Sequence, residues 1–141
     1  MSGPLEDAEE VIPGLGISAI DYHAAARSRD ALTAQLAIFF AACDLLITPT
    51  VAVAPFPIGE SPRVIAGKPA EPIDWIPFTY PFNLTGNPAA SLPCGQTSAG
   101  MPVGLQIVGP RHSEGLVLNL CAQFEAARPW SHNKPITTQR V

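Results

Sequence analysis

A thiol hydrolase needs a cysteine nucleophile, an imidazole base and a carboxylate to orient the base. Cys94, His112 and Asp74 offer one of each. The nucleophile also needs an electropositive setting that lowers its pKa. From Leu84 to Gly104 the sequence carries no charge. Cys94 therefore reads first as a small residue closing a strand at a Pro-Cys-Gly turn, with the thiol hydrolase kept as the alternative. His112 precedes a helix start, where it either steers an anion or sits in a solvated loop. His23 falls on a long helix and His132 in the tail, a scatter that does not suggest a metal site. Cys43, Cys94 and Cys121 are odd in number and widely spaced, and no pair has zinc-like spacing. They read as reduced, mostly buried thiols of a cytoplasmic protein.

Recognition chemistry is better represented than catalytic chemistry. Residues 75–110 contain no Asp, Glu, Lys or Arg. A stretch that long without charge lies inside a protein or lines a pocket, and its Pro and Gly exclude a single helix or a membrane span. Trp75, Phe78, Tyr80 and Phe82 fall on a Pro-bounded segment ahead of Asn83 and Thr85. They suit an apolar acyl pocket as well as a core patch. Asn83, Gly86 and Asn87 serve the backbone, because Asn and Gly tolerate left-handed turns. Thr48 and Thr50 flank Pro49 at a strand end, where a side-chain cap is the simpler role.

The elements that position these residues are legible from periodicity. Residues 1–17 form an irregular leading segment. Ser18 with Asp21 has the pattern of a capping box. The run Ala19 to Ala42 then lacks Gly and Pro, and Ala25, Leu32, Leu36, Phe39, Phe40 and Cys43 recur at helical spacing. This predicts an amphipathic helix with Arg27, Arg29 and Asp30 in solvent. Leu45 to Thr48 reads as a buried strand ended by Pro49. Residues 49–77 hold Pro49, Pro55, Pro57, Pro62, Pro69, Pro72 and Pro77 and show no periodicity. They read as a long loop, packed through Phe56, Ile58, Ile73, Trp75 and Ile76. Ala89–Pro93 and Val103–Val108 read as an antiparallel hairpin joined by Gly95–Gly100. Ser113 is the expected N-cap of a helix that presents Leu116, Val117, Leu120, Cys121, Phe124 and Ala127 on one face and stops at Pro129. The organisation is thus a lead-in over 1–17, one α/β domain over 18–130 and a polar tail over 131–141.

Charged residues are 14% of this 141-residue chain and hydrophobic residues 47%. An average soluble protein carries about 25% charge. Such a chain is either unusually apolar on its own or one part of a larger body whose remainder covers its faces, and the second reading is favoured. The net charge of −4 and the absence of a basic stripe argue against nucleic acid. The acidic start is no signal peptide, and the longest apolar run, Leu36 to Cys43, is too short to span a membrane.

The order of motifs matches something specific. A helix leads into DLLITPT (Asp44–Thr50), a long loop into NLTGNPAASLPCG (Asn83–Gly95), and then follow GMPVGLQIVGP (Gly100–Pro110) and a helix carrying Glu114. Together they resemble the C-terminal portion of the amidase signature hydrolases, over roughly residues 18 to 130. The resemblance implies an α/β fold in which mixed β-sheet strands are covered by helices. It implies hydrolysis of amide C–N bonds by a serine nucleophile, a second serine and a lysine base, without a cofactor or metal. Those catalytic residues are not found here: there is no Ser-Ser pair, no Ser in a Gly-rich run, and only Lys68 and Lys134 as lysines. They are expected upstream of Met1, so the chain alone is expected to be inactive, a truncated fragment or a partner-binding subunit. The resemblance assigns substrate-pocket wall to Trp75, Phe78, Thr79, Tyr80, Phe82 and Asn83. The glutamine-using branch places an acid just ahead of this segment, where this chain has Ile76, with Asp74 two residues earlier. That departure favours a general amidase acting on less polar substrates. The implied partners are a small-molecule amide, the catalytic portion of the enzyme and a second copy in a homo-oligomer.

Overall fold

The computed structural model describes residues 16–131. Most of the lead-in, and the tail with His132 and Lys134, lie outside them. Helix α1 spans Ala19–Phe40. Ser18 Oγ accepts from Asp21 N–H at 3.1 Å and donates to the Asp21 carboxylate at 2.6 Å. Half of the capping box forms; the aspartate takes the serine hydroxyl and does not reach back to the Ser18 amide. Leu32, Leu36 and Phe40 are half-buried, whereas Ala25, Phe39 and Cys43 of the expected face are exposed. The helix meets little of the described chain beyond the Tyr80–Thr85 segment, and it is apolar on two sides. Ile20, Ala24, Ala31 and Ile38 form a second row on the opposite face, and Ile20 and Ile38 are 80% and 74% exposed.

Strand β1 (Leu46–Pro49) follows. The loop expected over 49–77 contains a short hairpin, β2 (Val64–Ile65) and β3 (Lys68–Pro69). Its turn residues Ala66 and Gly67 both have positive φ, 49° and 77°. A primed hairpin turn needs this, and Asn-Gly is its favoured pair. Alanine carries a left-handed penalty of roughly 1–2 kcal/mol. Ala66→Asn should therefore raise stability by about 0.5–1 kcal/mol, read as a higher midpoint in a thermal melt.

A second helix, α2 (Tyr80–Thr85), was not evident from periodicity because it is one and a half turns long. Pro81 sits in its first turn, where a missing N–H costs nothing. Gly86 closes it in the left-handed conformation, φ 68°. Beyond it lie β4 (Ala89–Gln96) and β5 (Pro102–Val108). The expected hairpin forms, but its first strand runs on to Gln96: Gly95 and Gln96 of the expected connection pair with Val103 and Pro102, and Gly100 turns the chain at φ 77°. Strand β5 is the centre of a three-stranded sheet ordered β1-β5-β4, and both pairings are antiparallel. Leu46 and Ala89 both face Val108. The β1 segment, expected to be buried, is an edge strand with Ile47 54% exposed. An edge is where Pro49 is tolerated, since it has no N–H to give a ladder.

Helix α3 (Glu114–Ala127) packs on β4 and β5 through Val117, with Leu120, Cys121 and Phe124 half-buried. Leu116 and Ala127 of the expected face are exposed. Ser113 holds the N-cap position, yet its hydroxyl donates to Pro110 O at 2.7 Å and does not cap the first turn. The α3 turn closes tightly on Gly109. A Cβ there would lie 2.9 Å from Val117 Cγ2 and also meet Ser113 Oγ. Gly109→Ala should cost about 1–3 kcal/mol, as overpacking does, and a denaturant titration would read it as a lower midpoint at unchanged slope. Asn87 secures the same corner: its Nδ2 donates to Gly109 O at 2.9 Å.

The core is Phe82, Ile107, Val108 and Val117, with Thr85 and Gln106 buried among them. All but Val117 come from the uncharged 75–110 stretch. No buried side-chain N or O lacks a partner among the described residues.

Candidate functional site

The residues after β1 do not pair as a strand. They curve away from the sheet as an arm, Val51 to Phe56. Thr50 N–H still donates to Gly104 O at 3.0 Å, which fixes the arm's root on β5. Further along, Ala52 N–H donates to Trp75 O at 3.0 Å. That bond draws the Trp75 segment against the arm, and Phe56 meets Trp75 edge to face at 5.3 Å. Between arm, Trp75 and the Thr97–Gly104 end of the hairpin lies a cleft of about 510 Å³. Its walls include Val51, Val53, Phe56, Trp75, Pro102 and Val103, and Thr97 supplies the one polar side chain. The volume is that of a small-molecule site, and the lining carries no charge.

Gly104 shapes one wall. A Cβ there would stand 2.6 Å from Thr50 Oγ1 and 3.1 Å from Ser91 Oγ. The bare backbone lets those two hydroxyls meet at 2.7 Å across β5. Next along the same face is Gln106, 3% exposed. Its Nε2 donates to Thr48 Oγ1 at 3.0 Å and to Phe78 O at 2.8 Å.

The segment assigned to pocket wall is divided by the structure. Trp75 lines the cleft. Phe78 is half-buried outside it and contributes a carbonyl to Gln106. Thr79 is occupied locally, its hydroxyl donating to Ile76 O at 3.1 Å. Tyr80 and Asn83 are exposed on α2, and Phe82 is core. The wall residues Val51, Val53, Thr97 and Val103 were not singled out from the sequence. The uncharged run VAVAPF directly after a strand was the available signal.

The thiol arrangement does not assemble. Cys94 is the extra residue of a β-bulge, between the pairs Pro93–Gly104 and Gly95–Val103. Its Sγ donates to Val103 O at 3.5 Å. His112 follows the far end of β5, on the order of 15 Å away at strand rise. Asp74 accepts from Glu71 N–H at 2.9 Å in a local turn. Burial on α3 pushes the Cys121 thiol above its ordinary value, against a smaller backbone hydrogen-bond effect. The cysteines are unpaired. Among the described residues no His, Cys, Asp or Glu cluster could hold a metal ion, and no helix is long and apolar enough to cross a membrane.

The amidase family profile matches residues 14–118. The chain belongs to the amidase signature family. It is 44% identical over 95 residues to an acylamidase of Rhodococcus erythropolis, an alignment covering 65% of this chain and 20% of that protein. It is 34% identical over 117 residues to a glutamyl-tRNA(Gln) amidotransferase chain of Thiobacillus denitrificans, covering 81% and 23%. Among solved structures it superposes on a bacterial aryl acylamidase of this family with a TM-score of 0.80 and 32% identity, over 89% of this chain and 26% of that one. The chain thus spans about a fifth of the length of the curated relatives it matches. The α/β class expected from the motifs holds, and both described sheets, β1-β5-β4 and β2-β3, are antiparallel.

Proposed function

We propose that this chain is the substrate-wall portion of an amidase that hydrolyses neutral amides with apolar acyl or aryl groups. The observation that carries the reading is the cleft faced by Phe56 and Trp75, with no charge in its lining. Burying an unpaired charge against such a wall is costly, whereas apolar surface is welcome there. Ile76 stands where a glutamine user is expected to carry an acid, and Asp74 is engaged in its own turn. The serine–serine–lysine chemistry belongs to the remaining portion of the enzyme, which is also the nearest macromolecular partner. The unpaired thiols agree with a reducing, cytoplasmic setting.

The test is a completed enzyme, made by joining this chain to the catalytic portion of an acylamidase relative. kcat/KM is compared for a neutral aryl amide and for glutamine. Trp75→Ala and Phe56→Ala should each lower the aryl preference by about 1–3 kcal/mol, the scale of a lost apolar contact. Phe78→Ala, outside the cleft, should leave the ratio nearer the parent's. A completed enzyme that prefers glutamine, or keeps its ratio in both cleft variants, would show that the aromatics only pack.

A further inference from the structure

The strand β5 side chain best buried among polar groups is Gln106, and none of the chemistry above requires it. A buried primary amide is costly unless its donors are matched. Here Nε2 directs them to two different elements, Thr48 Oγ1 of β1 at 3.0 Å and the Phe78 carbonyl at 2.8 Å. Phe78 lies three residues beyond Trp75. The peptide between them is held at one end by Ala52 N–H on Trp75 O and at the other by Gln106. The intervening residues Ile76 and Pro77 give it no charge and little freedom at proline. The wall opposite, Val103 and Gly104, belongs to the same strand as Gln106.

We infer that Gln106 is a positioning residue: through the Phe78 carbonyl it sets how far Trp75 stands from the β5 wall, and so fixes the width of the amide cleft. This rests on the proposed role of the cleft. The width matters because a wall that is loose by an ångström binds poorly even when every contact residue is present. The Thr48 bond ties β5 to β1 beside Pro49 of the cleft lining and does not touch the Trp75–Phe78 segment. The two bonds therefore separate experimentally.

The experiment uses the full chain with Trp130→Phe, so that Trp75 is the sole tryptophan. Three readouts are taken: Trp75 emission and its quenching by acrylamide, circular dichroism of the whole chain, and quenching by acetanilide as a neutral aryl amide. Gln106→Met removes the donor at nearly constant volume. It should shift Trp75 emission to the red and weaken acetanilide binding at least about threefold, at temperatures where the circular dichroism matches the parent's. Thr48→Val should leave both Trp75 readouts unchanged. Gln106→Glu is the rescue: protonated, its O–H can still donate to the Phe78 carbonyl; ionised, it cannot. Its Trp75 emission should be parent-like at acid pH and shift as the pH rises, before any change in the dichroism. A Trp75 signal that stays put in Gln106→Met, or moves only together with the dichroism of the whole chain, overturns the assignment. If the parent fails to bind acetanilide, the substrate reading of the cleft falls, and the emission data still decide whether Gln106 holds the wall.

Discussion

Purified alone and offered aliphatic and aryl amides, this chain should turn over none of them above the buffer blank. Enzymes of hydrolysis supply at least about 8 kcal/mol of barrier reduction. That requires a nucleophile with a base in hydrogen-bond reach and donors aimed at the oxyanion. Among the described residues Lys68 is the one lysine, and it lies exposed on the outlying β2–β3 hairpin. The Ser91 hydroxyl is engaged with Thr50. Cys94 is set in a bulge with its thiol on a backbone carbonyl, and His112 lies beyond the far end of β5. The measurement is amide hydrolysis by the chain and by Cys94→Ala side by side. A rate that survives Cys94→Ala would mean an unsuspected serine or water chemistry. A rate abolished by it would restore the thiol hydrolase.

The isolated chain should also self-associate and bind a hydrophobic dye. Among the described residues four apolar side chains are buried: Phe82, Ile107, Val108 and Val117. Against them Ile20, Ile38, Ile47, Ile58, Val64 and Leu118 are all more than half exposed. The second apolar row of α1 faces outward, and both β1 and β4 present an unpaired edge in the three-stranded sheet. Apolar surface on this scale is an interface. Size-exclusion chromatography should show species larger than a monomer, and joining the catalytic portion should remove most dye binding. A sharp two-state monomer without dye binding would show that the chain is self-sufficient.

Local signals carried much of the architecture. The Ser18 start, the Gly-Pro-free run of α1, the GQTSAG connection and the Pro129 stop each act within a few residues. These elements therefore stand where the sequence placed them. The uncharged stretch from Trp75 to Pro110 announced the core, because desolvating charge is too costly to hide it there. The order of motifs announced the family, and the missing serine and lysine motifs bounded what the chain could do.

Tertiary structure decided the rest, through contacts between residues far apart in sequence. Whether Trp75 or Phe78 faces the cleft depends on two long-range hydrogen bonds, Ala52 to Trp75 and Gln106 to Phe78. Neither leaves a trace in composition or periodicity. The arm from Val51 to Phe56 read as loop because its partner is an aromatic about twenty residues on. The expected side of α1 packs, but only through Leu32, Leu36 and Phe40, and its pattern did not show a second apolar row that meets nothing in the described residues. Strand β1 read as buried because an apolar run looks alike at the edge and the centre of a sheet. Periodicity reports what a residue would gain by burial; only the assembled fold decides what is there to bury it.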